Sequence, residues 1–214
     1  MMTTRLILIR HGETEWNVAA RYQGQKDSPL TATGQAQAEA LAERLATHPF
    51  QHLYSSDLGR ARATAEFIAA RTGHPIQTRA GLRERSFGIF EGSTQAEVSK
   101  LWPEEFAIWS ARRADFTPPG GESHLAMTNR IVGAIDTLAG QHTGETLVVV
   151  THGGALSAML RHLLGLPAES PRRFGVPNAG WNVVAHTDQR WMVETWGDIS
   201  HLGRLRALEE AATR

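Results

Sequence analysis

The sequence predicts an α/β fold on a largely parallel sheet, and three observations carry that prediction. Short runs of leucine and β-branched residues, such as Leu6-Ile7-Leu8-Ile9 and Leu147-Val148-Val149-Val150, read as buried strands. Between such runs lie longer stretches of helical period, the pattern of βαβ units. Hydrophobic residues make up 41% of the 214 and charged residues 21%, an ordinary globular balance that leaves enough apolar side chains for a sizeable core.

The elements follow in order. A strand over 5–10 leads into a loop with Gly24 and Asp27-Ser28-Pro29-Leu30, then a helix over 34–46 entered through Thr31 to Gly34. A short strand at 52–54 runs into Ser55-Ser56-Asp57, where Asp57 is placed to cap a helix over 58–71 that carries Arg60 in its first turn and ends near Gly73-His74-Pro75. A strand over 76–78 precedes a segment rich in Gly, Phe and charge over 81–92 and short helices over 94–100 and 104–113. Pro118-Pro119-Gly120-Gly121 breaks the chain. The helix over 122–139 sets Leu125, Ile131, Val132, Ile135 and Leu138 on one stripe, with Glu122 and Ser123 as its cap. A strand over 146–151, a helix from Gly153 to Leu164, and two strands over 181–187 and 190–196 joined at Thr187-Asp188-Gln189 complete the pattern. The expectation is one domain over 1–214, with 79–121 as an insertion that covers a site.

Composition narrows the function. Lys+Arg and Asp+Glu both number 22, which gives no global charge for nucleic acid or an anionic membrane, so any phosphate chemistry needs locally gathered arginines. The absence of cysteine excludes disulfides, thiolate zinc sites and thiol catalysis. Only four apolar residues precede Arg10, too few for a secretory signal core, and no apolar run is long enough to span a bilayer; the expected location is cytoplasmic. The histidines other than His11 and His152 share no metal-ligand spacing, so no metal is expected.

The chemistry assembles at strand ends. In open α/β sheets ligands bind outside the carboxyl ends of the strands, where Arg10-His11-Gly12 and His152-Gly153-Gly154 both fall if their strands are neighbours. Phosphate monoesters hydrolyse so slowly that enzymes accelerate them by up to about 10²¹-fold. A neutral imidazole nitrogen that attacks phosphorus splits the displacement into two easier steps, which makes His11 the candidate nucleophile. Guanidinium groups match phosphoryl oxygens and stay charged, which suits Arg10 and Arg60 as a clamp. His152 adds a donor, and a helix starting at Gly153 aims amides at the same spot. The leaving alkoxide needs an acid, and a carboxyl beside a phosphate dianion favours its proton-carrying form. Glu84, in Leu82-Arg83-Glu84-Arg85-Ser86-Phe87-Gly88, is the candidate and Glu13 its rival, and sequence position does not separate them.

Arg10-His11-Gly12-Glu13-Thr14 through Asn17, Ser55-Ser56-Asp57 with Arg60, Glu84, and His152-Gly153 together resemble the histidine phosphatase superfamily in its phosphoglycerate mutase-like branch. The resemblance covers nearly the whole chain and implies a three-layer sandwich whose mostly parallel central sheet is flanked by helices. It implies His11 as phosphorylated nucleophile, Arg10, Arg60 and His152 as phosphate pocket, Asn17 as a further phosphate contact, Glu84 as proton donor, and Thr14, Gln23 and Gly24 as first-loop contacts. A turn or cap is the competing account of Asn17.

Departures within the branch are informative. Cofactor-dependent mutases carry Tyr where Phe87 stands, Lys where Gln95 stands and Asn where Gly154 stands, while Pro119-Gly120-Gly121-Glu122-Ser123 is similar to the broad-specificity and cobalamin-pathway phosphatases. Fewer fixed cations around a second phosphate favour hydrolysis by water. The expected activity is therefore a metal-independent phosphomonoesterase without cofactor, acting on a small phosphorylated metabolite. The alternatives are a phosphoglycerate mutase primed by 2,3-bisphosphoglycerate and a non-catalytic phospho-ligand binding module. Trp102, Phe106, Trp109 and Phe116 are expected to form the insertion's own small core rather than a pocket wall. Arg112 and Arg113 fit equally a grip on a second anion and a solvated face. The tail from Leu205 to Ala212 has helical composition and either packs on a second copy, giving a homodimer, or frays.

Overall fold

The structure, a computed structural model, describes residues 2–188 and 190–203. In chain order the elements are β1 (Thr4–Arg10), α1 (Glu15–Val18), α2 (Ala32–Leu45), β2 (His52–Ser55), α3 (Gly59–Thr72), β3 (Ile76–Thr78), α4 (Gln95–Leu101), α5 (Pro103–Ser110), α6 (His124–Gln141), β4 (Thr146–Thr151), α7 (Gly153–Leu163), β5 (Trp181–Thr187) and β6 (Arg190–Asp198). They form a six-stranded sheet in the order β3-β2-β4-β1-β5-β6. The first four of these strands run parallel, whereas β5 is antiparallel to β1 and β6 antiparallel to β5.

Helices cover both faces, which explains why β1 and β4 read as unbroken apolar runs. Leu6, Leu8, Leu147 and Val149 point into the core shared with α6 and α7. Ile7, Ile9, Val148 and Val150 point the other way, against α2 and α3. The β1–β4 register pairs Leu6 with Leu147 and ends with Arg10 beside Thr151. The next residue of each chain segment is a histidine, so His11 and His152 leave the sheet side by side.

Three expectations change in detail. Asp57 does not cap α3: its carboxylate pairs with Arg83, and the α3 N-terminus instead receives Asp27, whose two oxygens accept from the Gly59 and Arg60 amides at 2.5 and 3.3 Å. Leu125 lies exposed in the first turn of α6, and Met127 joins Ile131, Ile135 and Leu138 on the buried stripe. Ser123 caps α6 as expected, its hydroxyl accepting from the Ala126 amide, while Glu122 pairs with Arg130. Gln189 of the β5–β6 joint and the tail from 205 to 212 lie outside the described residues. Among the described residues no helix is long and apolar enough to cross a membrane.

Candidate active site

The His11 ring is positioned from both of its edges. Its Nδ1 lies 2.7 Å from the Gly12 carbonyl, which can only accept, so Nδ1 carries the proton and Nε2 the lone pair. Burial, and then the Arg60 and Arg10 guanidiniums, hold the imidazole pKa well below its ordinary value. The ring is therefore neutral at pH 7, with a nucleophilic nitrogen facing a cavity of about 260 Å³ at the sheet's carboxyl end. The His152 ring stands with its centroid 5.3 Å away, also fully buried and neutral for the same reasons. Its Nε2 meets the Ser56 hydroxyl at 2.8 Å, while its Nδ1 is buried without a partner.

Arg60 is buried and would destabilise the fold if its donors were left unpaired. Its Nη1 donates to the Lys26 carbonyl and Asp27 Oδ1 at 2.7 and 2.8 Å, its Nη2 to the Gly24 carbonyl at 2.7 Å, and its Nε to His11 Nε2 at 3.3 Å. Those partners lock the guanidinium plane against the imidazole. Arg10 is anchored by one bond, Nη1 to the Val176 carbonyl at 2.7 Å, and its buried Nε has no partner. Burial lowers its pKa to about 10, so it stays cationic at pH 7. Two buried nitrogens beside His11 thus lack partners: Arg10 Nε, a donor, and His152 Nδ1, which is a donor when Nε2 accepts from the Ser56 hydroxyl; in that tautomer an anion would satisfy both.

Glu84 reaches the same cavity from the segment between β3 and α4. Its Oε1 accepts from the Arg85 amide at 2.9 Å and its Oε2 from the Gly154 amide at 2.7 Å. A Cβ on Gly154 would run into this carboxylate, so the glycine at the start of α7 is what leaves room for it. One first-turn amide of α7 is consequently committed to Glu84 rather than to a ligand. Glu13, the rival acid, is turned away: its carboxylate accepts from the Thr31 hydroxyl at 2.7 Å and does not line the cavity.

The remaining first-loop candidates divide. Asn17, Gln23, Gly24 and Gly153 line the cavity. Thr14 does not: it is fully buried, caps α1 with Asn17, and accepts from Gln23 Nε2 at 2.8 Å. Asn17 is half of a capping box, the turn-or-cap account offered for it, and it also lines the cavity. Sequence reasoning missed a supporting ring. Thr64 accepts from the Gly12 amide, Asn178 donates to the His11 carbonyl, Ser56 meets His152, and Asp27 holds Arg60. Only Ser56 and Asp27 stood in segments already singled out. It also missed Arg172, which lines the cavity from a loop without period.

A second cavity of about 560 Å³ adjoins the first through Tyr22, Glu84, Phe87, Gly154 and Arg172. Phe106 and Trp109 line it, contrary to the expectation that they serve packing alone, although Trp109 also stacks edge-on with Tyr22, Phe87 and Phe90. Arg85, Arg112, Arg113 and Arg161 add positive charge. Arg85 and Arg161 donate to backbone carbonyls and Arg113 pairs with Asp115, whereas Arg112 and Arg172 have no ion pair among the described residues.

The chain is similar to known proteins across nearly its whole length. Residues 6–199 match the model of the histidine phosphatase superfamily, branch 1. A protein of Proteus mirabilis called "Probable phosphoglycerate mutase GpmB" is 40% identical over 215 residues, covering 96% of this chain and 98% of that one. Among solved structures, the alpha-ribazole phosphatase from Shigella flexneri superposes with a TM-score of 0.83 at 31% identity, covering 91% of this chain and 96% of that one. The mycobacterial glucosyl-3-phosphoglycerate phosphatase complexed with VO3 superposes with a TM-score of 0.80 at 33% identity, over 90% and 98% of the two chains. These matches support an enzyme with phosphatase or mutase-like activity. The chain belongs to the histidine phosphatase superfamily.

Proposed function

We propose that the protein is a metal-independent phosphomonoester hydrolase working through a phosphohistidine on His11. The observation that carries this reading is the neutral Nδ1-protonated His11, its Nε2 beside Arg60 Nε, with unpartnered buried nitrogens on the neighbouring Arg10 and His152. The phosphoryl group of the substrate sits in the inner cavity, where Arg10, Arg60 and His152 donate to its oxygens and neutralise the charge that grows in the transition state. Arg60 Nε–H passes from His11 Nε2 to a phosphoryl oxygen, the freed Nε2 lone pair forms a bond to phosphorus while the bond to the ester oxygen breaks, and the proton of the Glu84 carboxyl passes to the leaving alkoxide. Glu84, now a carboxylate, takes a proton from water, the water oxygen attacks phosphorus, and the bond to Nε2 breaks to release inorganic phosphate. Guanidinium groups supply the positive charge a metal would otherwise bring, so chelators are expected to leave turnover unchanged.

The leaving group of a small phosphorylated metabolite occupies the outer cavity. Phe87 lines both cavities and offers no donor, and Gln95 lines the outer one without charge, which favours water over a second phosphoryl group as acceptor. A mutase reading has one observation in its favour, the arginines of the outer cavity, which suit a second anion. A panel of sugar phosphates, phosphoglycerates, phosphoserine and nucleotides, assayed for phosphate release with and without 2,3-bisphosphoglycerate, separates the readings. Release without the bisphosphate supports hydrolysis, whereas isomerisation that requires it supports the mutase. A protein that binds phosphate but turns over none of the panel would be a binding module.

A further inference from the structure

We infer that His52, His142 and Glu145 form a binding site for a divalent transition-metal ion of the zinc class, at the end of the sheet opposite His11. Three segments meet there: the first residue of β2, the residue that closes α6, and the turn that enters β4. His52 and Glu145 are 93 residues apart in sequence, so spacing gave no hint of the cluster.

The donor atoms converge on one another. His52 Nε2 and His142 Nδ1 each lie 2.9 Å from Glu145 Oε2, and ligand atoms from all three residues fall within 4.8 Å of one another. Two ligands about 2.1 Å from a tetrahedral ion are about 3.4 Å apart, so the two hydrogen-bonded pairs would open by about half an ångström to admit one. Two imidazoles and one carboxylate are the borderline-soft donor set that suits zinc, cobalt or nickel rather than calcium or magnesium.

The surroundings fix the ligands. The Glu145 amide donates to the His142 carbonyl at 3.1 Å, closing a turn whose Gly144 adopts φ +85° and donates its amide to the Thr4 hydroxyl at 3.1 Å. That turn holds His142 and Glu145 on one side. The buried Tyr54 places its hydroxyl 2.9 Å from His142 Nε2, so the ring can present Nδ1 to an ion while Nε2–H donates to the phenol, the outer-sphere contact typical of metal-bound histidine. His142 would exchange its Nδ1 proton for one on Nε2, leaving the imidazole neutral. The side chains of His52 and Glu145 are 29% and 40% exposed, which leaves a path of entry and room for water as a fourth ligand. An ion there would clamp β2 to the α6–β4 turn and act on stability, not on the chemistry at His11.

The test is titration of the untagged protein with Zn²⁺ and Co²⁺, followed by calorimetry and the visible absorption of bound cobalt. One saturable site is expected in the wild type and in His11→Ala, lost in His142→Ala and Glu145→Gln, and weakened about tenfold in Tyr54→Phe. Saturating metal is expected to raise the melting temperature of the wild type but not of His142→Ala, with phosphatase activity unchanged in both. No saturable binding, or binding that survives His142→Ala and disappears in His11→Ala, would overturn the inference. The trio would then be a hydrogen-bonded cluster, or the ion would sit in the active site.

Discussion

The inner and outer cavities share a wall but are built differently. Around His11 the side chains of Arg60, Arg10 and Glu84 are tied to backbone: Arg60 to the Gly24 and Lys26 carbonyls, Arg10 to Val176, Glu84 to two amides. The outer cavity is walled by α5 and by the loop carrying Arg172, α5 has no buried residue, and Arg112 and Arg172 lack ion pairs among the described residues. A wired inner region and a loosely held outer one separate the chemistry from the choice of leaving group. Substitutions inside should cost turnover with every substrate, and substitutions outside should alter KM with some.

The largest effect is expected at His11. His11→Ala should lower kcat by at least about 10⁴-fold for all esters, because the covalent path is lost. Arg60→Ala should follow at about 10²–10³-fold, the scale of one transition-state donor, and Arg60→Lys should not restore it, since a point charge cannot replace a fork held by Gly24, Lys26 and Asp27. Steady-state kinetics with two unrelated esters checks both, and a variant that loses only one substrate would erase the division between the cavities.

Gly154 offers a sharper test, because the three nearest atoms that a Cβ there would meet all belong to the Glu84 carboxylate. Gly154→Ala and Glu84→Gln should each lower kcat by about 10²-fold for alkyl phosphates and much less for an aryl phosphate, whose leaving group needs little help from an acid. Equal losses on both ester classes would remove Glu84 from proton transfer.

Burial of neutral imidazoles in the inner region also shapes stability. His11 and His152 have folded-state pKa values well below the unfolded value near 6.5, so the unfolded chain binds more protons below that pH and stability rises with pH. The stabilisation is present above pH 6.5 and is lost as pH falls, by up to about 1.4 kcal/mol per pH unit for each histidine. His201, held to about 4 chiefly by burial, adds a third group to this loss between pH 6.5 and about 4. Melting temperatures between pH 7 and 5 should fall accordingly, and a flat profile would contradict the burial argument. The smallest effect belongs to the outer region: Arg172→Ala should raise KM by about threefold to tenfold for anionic leaving groups and leave kcat unchanged.

Much of this was legible in the sequence because strand ends are local. The apolar runs Leu6 to Ile9 and Leu147 to Val150 locate β1 and β4, and the motifs directly behind them bring the two histidines together once the strands pair. What was not legible depends on contacts between distant segments. Asp57 looked like the cap of α3, yet Asp27, from a loop 32 residues before Gly59, took that place. Leu125 kept the helical spacing of a core residue but falls in a first turn that faces water. Phe106 and Trp109 carry no mark in sequence that tells a pocket wall from a small core, because either burial uses the same apolar surface. Glu13 and Glu84 were equivalent until the Thr31 hydroxyl was seen to hold one and the Gly154 amide the other.

The most direct test of the central claim is rapid quenching of the protein during turnover of a ³²P-labelled phosphomonoester, followed by peptide mapping. The account predicts acid-labile, base-stable phosphate on His11, formed at least as fast as inorganic phosphate is released and absent from His11→Ala. Phosphate release at the normal rate with no phosphoprotein, or label on His152 or on a carboxylate, would contradict it.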